Sequence, residues 1–249
     1  MIILKKPEEI ELMQQGGKKL RKIVQKLKPI IKPGITTNHI DQEAEKLIKE
    51  EGGESSFKKV PGYHWSTCLP VNEEIVHTPP SERILKEGDI ITLDIGIYYK
   101  GFHTDFADTY TIGKTPQAKR DFLDVGKGAL YEAIKEVKLG NRLGQVSKTI
   151  EKAITGKRYA IVKELTGHGI GRDLHEDPYV LGFLDRKIEK TPRIENGLVI
   201  AVEIIYSMGK GAMMHDKKEE WSIKTVDGSL SACFEHTVAV MNGHTTVLT

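Results

Sequence analysis

Only two cysteines, Cys68 and Cys233, occur in 249 residues. That is too few for a disulfide framework, so a reducing cytoplasm is the default setting. Neither sign of charge dominates: 37 Lys and Arg face 35 Asp and Glu, for a net charge of +2, which leaves no electrostatic footprint for nucleic acid. The basic pairs Lys18-Lys19, Lys58-Lys59 and Lys217-Lys218 lie beside acids and read as solvated surface. No apolar run approaches the ~20 residues that cross a bilayer, and the opening MIILKKPEEIELM turns charged too soon for a secretory signal. No cysteine pair has the spacing of zinc-finger ligands. With 39% hydrophobic and 29% charged residues, the chain reads as a soluble globular protein whose 249 residues can form one domain or two fused halves.

Helical spacing of apolar residues predicts a first helix from near Pro7, through Ile10, Met13, Leu20, Val24 and Leu27, closed by Pro29 and Pro33. A second runs from about Thr37 to Glu51 and stops at Gly52-Gly53. A strand-rich block from Tyr63 to Ile112 follows. The pattern then restarts with helices over Gln117–Val137 and Leu143–Ile154 and strands over Leu198–Tyr206, Trp221–Thr225 and Ala232–Val240. A shift of 106 positions lays KPGITTNHIDQEAEKLI on KLGNRLGQVSKTIEKAI, matching Gly34 with Gly140 and Ile40 with Val146. The expectation is a pseudo-repeat of about 1–115 and 116–249, two helix–helix–sheet units with a site between them.

Residues 90–112, IITLDIGIYYKGFHTDFADTYTI, read as two strands around a turn at Tyr98-Tyr99-Lys100-Gly101. A turn centred between Tyr99 and Lys100 sets Asp94 directly opposite Asp105. Like charges in that position repel, and among Leu93, Ile95 and Phe106 they require a shared proton or a cation. Four further segments bear on that choice. Glycines flank His168 in TGHGIGRDLHEDP (166–178), which reads as an irregular loop projecting His168 and His175. Glu203 in LVIAVEIIY and Glu235 in ACFEHTVAV are acids inside strand-like apolar runs, where an ionised carboxylate costs several kcal/mol unless paired or bound to metal. Alternation sends the adjacent His236 to the opposite face. His77 precedes a Pro-Pro stop. Two Asp, two Glu and one His suit a pair of divalent ions such as Mn, Fe, Co or Zn.

These segments, with VNEEIVH (71–77), GFHTD (101–105), VEIIY (202–206) and SLSACFEHTVAV (229–240) in this order, resemble the type I methionine aminopeptidases over nearly the whole length. The resemblance implies an α+β pita-bread fold, a pseudo-twofold repeat of helix–helix–antiparallel sheet units around a central dimetal site. It implies Asp94, Asp105, His168, Glu203 and Glu235 as metal ligands, with Asp105 and Glu235 bridging, and two divalent ions (Co, Mn, Fe or Zn) as cofactor. Water held between the metals would attack the carbonyl of an N-terminal methionine, with a small second residue preferred. Glu203 would move the proton, His175 would stabilise the oxyanion, and His77 would contact the scissile amide or the amine. Tyr63, Trp65, Cys68 and Trp221 fall where the methionine pocket lies. The implied partners are the N-terminal methionine of nascent peptides and the ribosome that delivers them, with no nucleic-acid substrate and no membrane, for a cytoplasmic monomer. Phe106, Leu174 and Gly182-Phe183 depart from the family pattern and bear on the pocket's shape.

Prolidases and X-prolyl aminopeptidases use the same five ligands but generally carry a further N-terminal domain. A non-catalytic binding relative would be expected to lose ligands, whereas all five are present. A hydrolase built on the acid pair alone leaves His168, Glu203 and Glu235 unexplained.

Overall fold

Apolar periodicity lays down four helices in the computed structural model, which describes residues 1–217 and 219–249; Lys218, from the basic pair above, lies outside them. The first half contains α1 (Pro7–Leu27), α2 (Thr37–Glu50), β1 (Glu54–Ser55), β2 (Thr67–Cys68), β3 (Glu74–Val76), β4 (Ile90–Tyr99) and β5 (Phe102–Thr111). The second contains α3 (Gln117–Lys135), α4 (Leu143–Thr155), β6 (Ala160–Ile161), β7 (Thr166–Gly169), β8 (Glu176–Leu181), β9 (Val199–Ser207), β10 (Met213–His215), β11 (Ile223–Thr225), β12 (Ser231–Met241) and β13 (His244–Val247). Pro7 opens α1 with Glu8 and Glu9 in its first turn, where carboxylates suit the helix dipole. The Thr36 hydroxyl caps α2 by accepting from His39 N at 3.2 Å.

A ten-stranded antiparallel sheet runs β1-β4-β5-β12-β9-β7-β8, with β2 on β4, β13 on β12 and β6 on β9; β10, β11 and β3 form a smaller sheet. Strand alternation sorts the large sheet's side chains. Leu93, Ile95, Ile97 and Phe106 meet α1 and α2 in one core, and Ile200, Val202, Ile204, Tyr206 and Phe234 meet α3 and α4 in another. The residues between them face the opposite side, among them Ala107, Ile205 and Cys233 in a third cluster. Burial of two apolar stripes thereby forces Asp94, Asp105, Glu203 and Glu235 onto one face.

The halves correspond in detail. Gly34 and Gly140 adopt φ +88° and +87°, Gly34 N donates to Leu85 O and Gly140 N to Ile194 O at 2.9 and 3.0 Å, and Thr36–Ile84 and Arg142–Arg193 form matching isolated bridges. β5 and β12 meet at the seam between the halves.

Two expectations are corrected. Asp94 pairs with Ala107 and Asp105 with Gly96, not with one another. The turn is centred one residue later, with Lys100 (φ +49°) and Gly101 (φ +91°) at its centre, because a two-residue turn matching strand twist needs left-handed backbone at both positions. Also, 166–178 is a hairpin, not an irregular loop: His168 lies in β7, paired with Ala201 of β9. Its flanking glycines clear backbone, since a Cβ would lie 2.4 Å from Ala201 O at Gly167 and 2.1 Å from Asp177 O at Gly169.

Candidate metal centre and active site

Strand register arrays the acids in a row across four strands. Asp94 pairs with Ala107, Ala107 with Glu235, and Glu235 with Glu203. One pleat along, Asp105 fits opposite Gly96, and the Thr237 hydroxyl brackets its backbone, donating to Asp105 O and accepting from Asp105 N at 2.9 Å each. His168 stands beside Ala201, diagonal to Glu203, with Nε2 3.4 Å from Glu203 Oε1. Ligand atoms of Asp105, His168 and Glu235 lie within 4.8 Å of one another. The register shift in the β4–β5 hairpin does not scatter the set, because Asp94 and Asp105 keep the same parity and face.

Among the described residues, no lysine or arginine lines this cavity. Burial first, then the charges of Asp105 and Glu203, raises the pKa of Asp94; burial and Asp105 raise Glu203; burial, then Asp105, Glu203 and Asp94, raise Glu235. Burial pushes Asp105 up to about 7, against a hydrogen bond from Phe106 N. Glu235 Oε1 is buried without a hydrogen-bond partner among the described residues. Burial holds the His168 pKa down to about 3, and its Nδ1–H donates to Gly169 O at 2.8 Å, which leaves the Nε2 lone pair facing the acids. Four carboxylates raised by burial, three of them also by neighbouring acids, a carboxylate oxygen without a partner among the described residues and a correctly turned imidazole fit a divalent-cation site.

The cavity occupies about 250 Å³ and includes His77, His175, Tyr63, Cys68 and Trp221 in its walls. Both histidines are open to the cavity and surrounded by protein. Burial, with the neighbouring His175 and His215, lowers His77 to about 4, and burial lowers His175. His77 has φ +57°, a conformation that costs a non-glycine residue on the order of 1–3 kcal/mol. The His175 ring stacks edge-on to His168, centroids 4.4 Å apart. Tyr63 meets Trp221 edge-on at 5.2 Å. Trp65 is placed differently: it packs on Tyr63 at 5.3 Å, outside the cavity lining. His64 is exposed and lies outside it too. Leu174 lines the cavity, Phe106 packs on the helix face beside His236, and Phe183 packs against the second-half core.

Sequence reasoning missed Asp41. This buried α2 residue accepts at Oδ1 from Ser66 N, Thr67 N and Thr67 Oγ1, at 2.9, 2.9 and 2.8 Å. The Tyr63 hydroxyl in turn donates to Thr67 O at 2.8 Å, so α2 fixes the pocket wall. The available signal was an acid inside the apolar stripe Ile40, Ala44, Leu47, Ile48. Phe57, Val60, Leu165 and Ile205 also line the cavity and carried no distinguishing pattern.

The metallopeptidase family M24 matches residues 11–242. Methionine aminopeptidase 1 of Bacillus subtilis (strain 168) is 39% identical over 249 residues, covering 100% of this chain and 99% of the relative. The Escherichia coli (strain K12) methionine aminopeptidase is 32% identical over 250 residues, covering 100% and 94%. The crystal structure of the Thermotoga maritima methionine aminopeptidase superposes with TM-score 0.95 at 33% identity, over 100% of this chain and 99% of that one. A prolidase from Pyrococcus furiosus shares the fold at TM-score 0.79 and 19% identity, but this chain, 99% covered, spans only 65% of it. The fold is the pita-bread arrangement of these enzymes, and the chain belongs to metallopeptidase family M24.

Proposed function

We propose that the chain is a metal-dependent aminopeptidase that removes the N-terminal methionine from peptides and nascent proteins. The observation that carries this is the meeting of five donor side chains from both halves in one cavity lining, with Glu235 Oε1 unpartnered among the described residues, in a chain whose full-length relatives are methionine aminopeptidases. Asp94, Asp105, His168, Glu203 and Glu235 would hold the metal. Four carboxylates and an imidazole offer more donors than one ion takes, which supports two ions, drawn from Mn, Fe, Co or Zn. Bound divalent ions supply Lewis-acid polarisation of a carbonyl oxygen and a water that ionises near neutral pH.

The protein's own groups do the rest. The apolar walls around Tyr63, Cys68, Leu174 and Trp221 take the methionyl side chain, with a small second residue preferred. Burial lowers the pKa of both His77 and His175, which favours neutral imidazoles that can donate an N–H without carrying a charge. His175 serves the developing oxyanion and His77 the scissile amide or amine. Glu203, raised by burial and by Asp105, is suited to pass a proton from the attacking water to the departing amine. We take residues 1–249 as one catalytic unit of two pseudo-repeats, acting as a cytoplasmic monomer on chains emerging from the ribosome.

Incubation of the purified protein with Met-Gly and X-Pro peptides, with and without a chelator, tests this reading. Methionine release that chelation stops and Mn or Co restores is expected, with X-Pro bonds untouched. X-Pro cleavage would reassign the substrate, and chelator-insensitive turnover would remove the metal.

A further inference from the structure

We propose that the buried Lys5–Glu176 ion pair is a positioning device for His175, a role that rests on the reading of His175 as a substrate contact. The pair joins residues 171 positions apart, one before α1 and one at the start of β8. Both side chains are almost sealed from solvent, 2% and 3% exposed. Lys5 is held from two further directions, its Nζ donating to Ile3 O at 2.9 Å and its backbone N to Gly197 O at 2.7 Å. Glu176 spends one oxygen on Lys5 and the other on the turn leading to His175, accepting from Arg172 N at 2.8 Å and Asp173 N at 3.3 Å. One carboxylate therefore closes residues 172–176 into a clamped loop, and Lys5 fixes that carboxylate from behind.

The surroundings leave little slack. At Gly171 a Cβ would lie 2.2 Å from Lys5 Cε and 2.7 Å from Glu176 Oε1, so the backbone passes directly over the pair. Gly171 O accepts from His103 N at 2.7 Å, and Glu176 pairs with Gly169, next to His168. His175 is thus bracketed by Leu174 in the cavity wall and the locked Glu176. For stability alone, an apolar pair of similar volume would serve as well or better than buried charges. An apolar pair could not bind the two loop N–H groups.

If Lys5 acts through His175, its removal should lower kcat, leave KM and metal content near the parent values, and lose its effect once His175 is gone. Lys5→Met, measured on the metal-loaded full chain with Met-Gly, is expected to reduce kcat about 10- to 100-fold, the scale of an ångström misplacement, with Lys5→Arg recovering most of it. In the His175→Ala background the same change should cost less than about 2-fold. Parent kcat in Lys5→Met, a loss of equal size in both backgrounds, or a loss that tracks missing metal overturns the proposal. If Lys5→Met does not fold, Glu176→Gln, which keeps an oxygen for the loop, is carried through the same cycle. Full turnover in His175→Ala would instead remove the reading of His175 itself.

Discussion

An aspartate at the centre of a ten-stranded sheet persists only if something answers its charge. Asp105 is 4% exposed, its pKa is raised to about 7 mainly by burial, and the charges nearest it are three more raised carboxylates. Without metal, this site destabilises the fold that carries it. Asp105→Asn keeps the shape and an acceptor for Phe106 N while removing the charge. Above pH 7 the metal-free variant should therefore be more stable than the metal-free parent, by an amount on the order of a few kcal/mol, and it should neither retain metal nor release methionine. Calorimetry, metal analysis and peptide turnover on the two chelated proteins check this. Retained metal or full turnover in the variant would end the assignment of Asp105 as a ligand. At this scale, acids were legible because nothing in a buried apolar run tolerates them unpaired. Asp41 gave only the weaker signal of an acid within a helix's apolar stripe, and its three donors come from a segment 25 residues on that the pattern does not join to it.

The β4–β5 hairpin shows which parts of an element a pattern determines. Alternation gave the faces, and an error of one residue in the turn centre moved every pair by two, which preserved parity and kept both aspartates on the site side. The turn itself was ambiguous in Tyr-Tyr-Lys-Gly. The ambiguity resolves because a bulky Tyr99 in left-handed backbone is costlier than Lys100 there with Gly101 following. A Cβ at Gly101 meets nothing within 4 Å, so Gly101→Ala isolates the backbone term. It should lower stability by roughly 1–2 kcal/mol and leave register and metal content intact, since β1, β2 and β12 also pin the hairpin. A change in metal content would mean that the turn alone holds the aspartates in place. The 166–178 hairpin was illegible for a related reason: its glycines, needed for close strand approach, look in sequence like loop punctuation.

Across the whole molecule the site joins two halves, with Asp94 and Asp105 from one and His168, Glu203 and Glu235 from the other. A shift of 106 aligned the helices, Thr37 on Leu143. Asp94 and Glu203 stand 109 positions apart and Asp105 and Glu235 130 apart, and β10 and β11 lie between β9 and β12. No single shift therefore lays the acids of one half on those of the other. If cations link them, metal binding is also folding free energy. The carboxylates' folded pKa values are raised, so their protonated forms favour the metal-free folded state. That contribution is complete below their unfolded values near pH 4 and is lost as pH rises through the folded values, about 7 for Asp105. His168, at about 3, stays neutral in the folded state throughout this window while its unfolded imidazole titrates near 6.5, so it adds stability as pH rises, a term common to the loaded and the metal-free protein. Protons and cations compete for the same oxygens, so the rise in Tm on adding Mn or Co should grow from pH 5 to pH 8. With metal about 1,000-fold above its Kd at pH 8, the rise should reach about 10 °C. Subtracting the metal-free curve at each pH removes the opposing titrations of His103 and His236, both lowered to about 4 by burial away from the acids. Differential scanning calorimetry of loaded and chelated protein measures the difference. A gain that stays flat or shrinks with rising pH would place the cations on groups other than these four carboxylates.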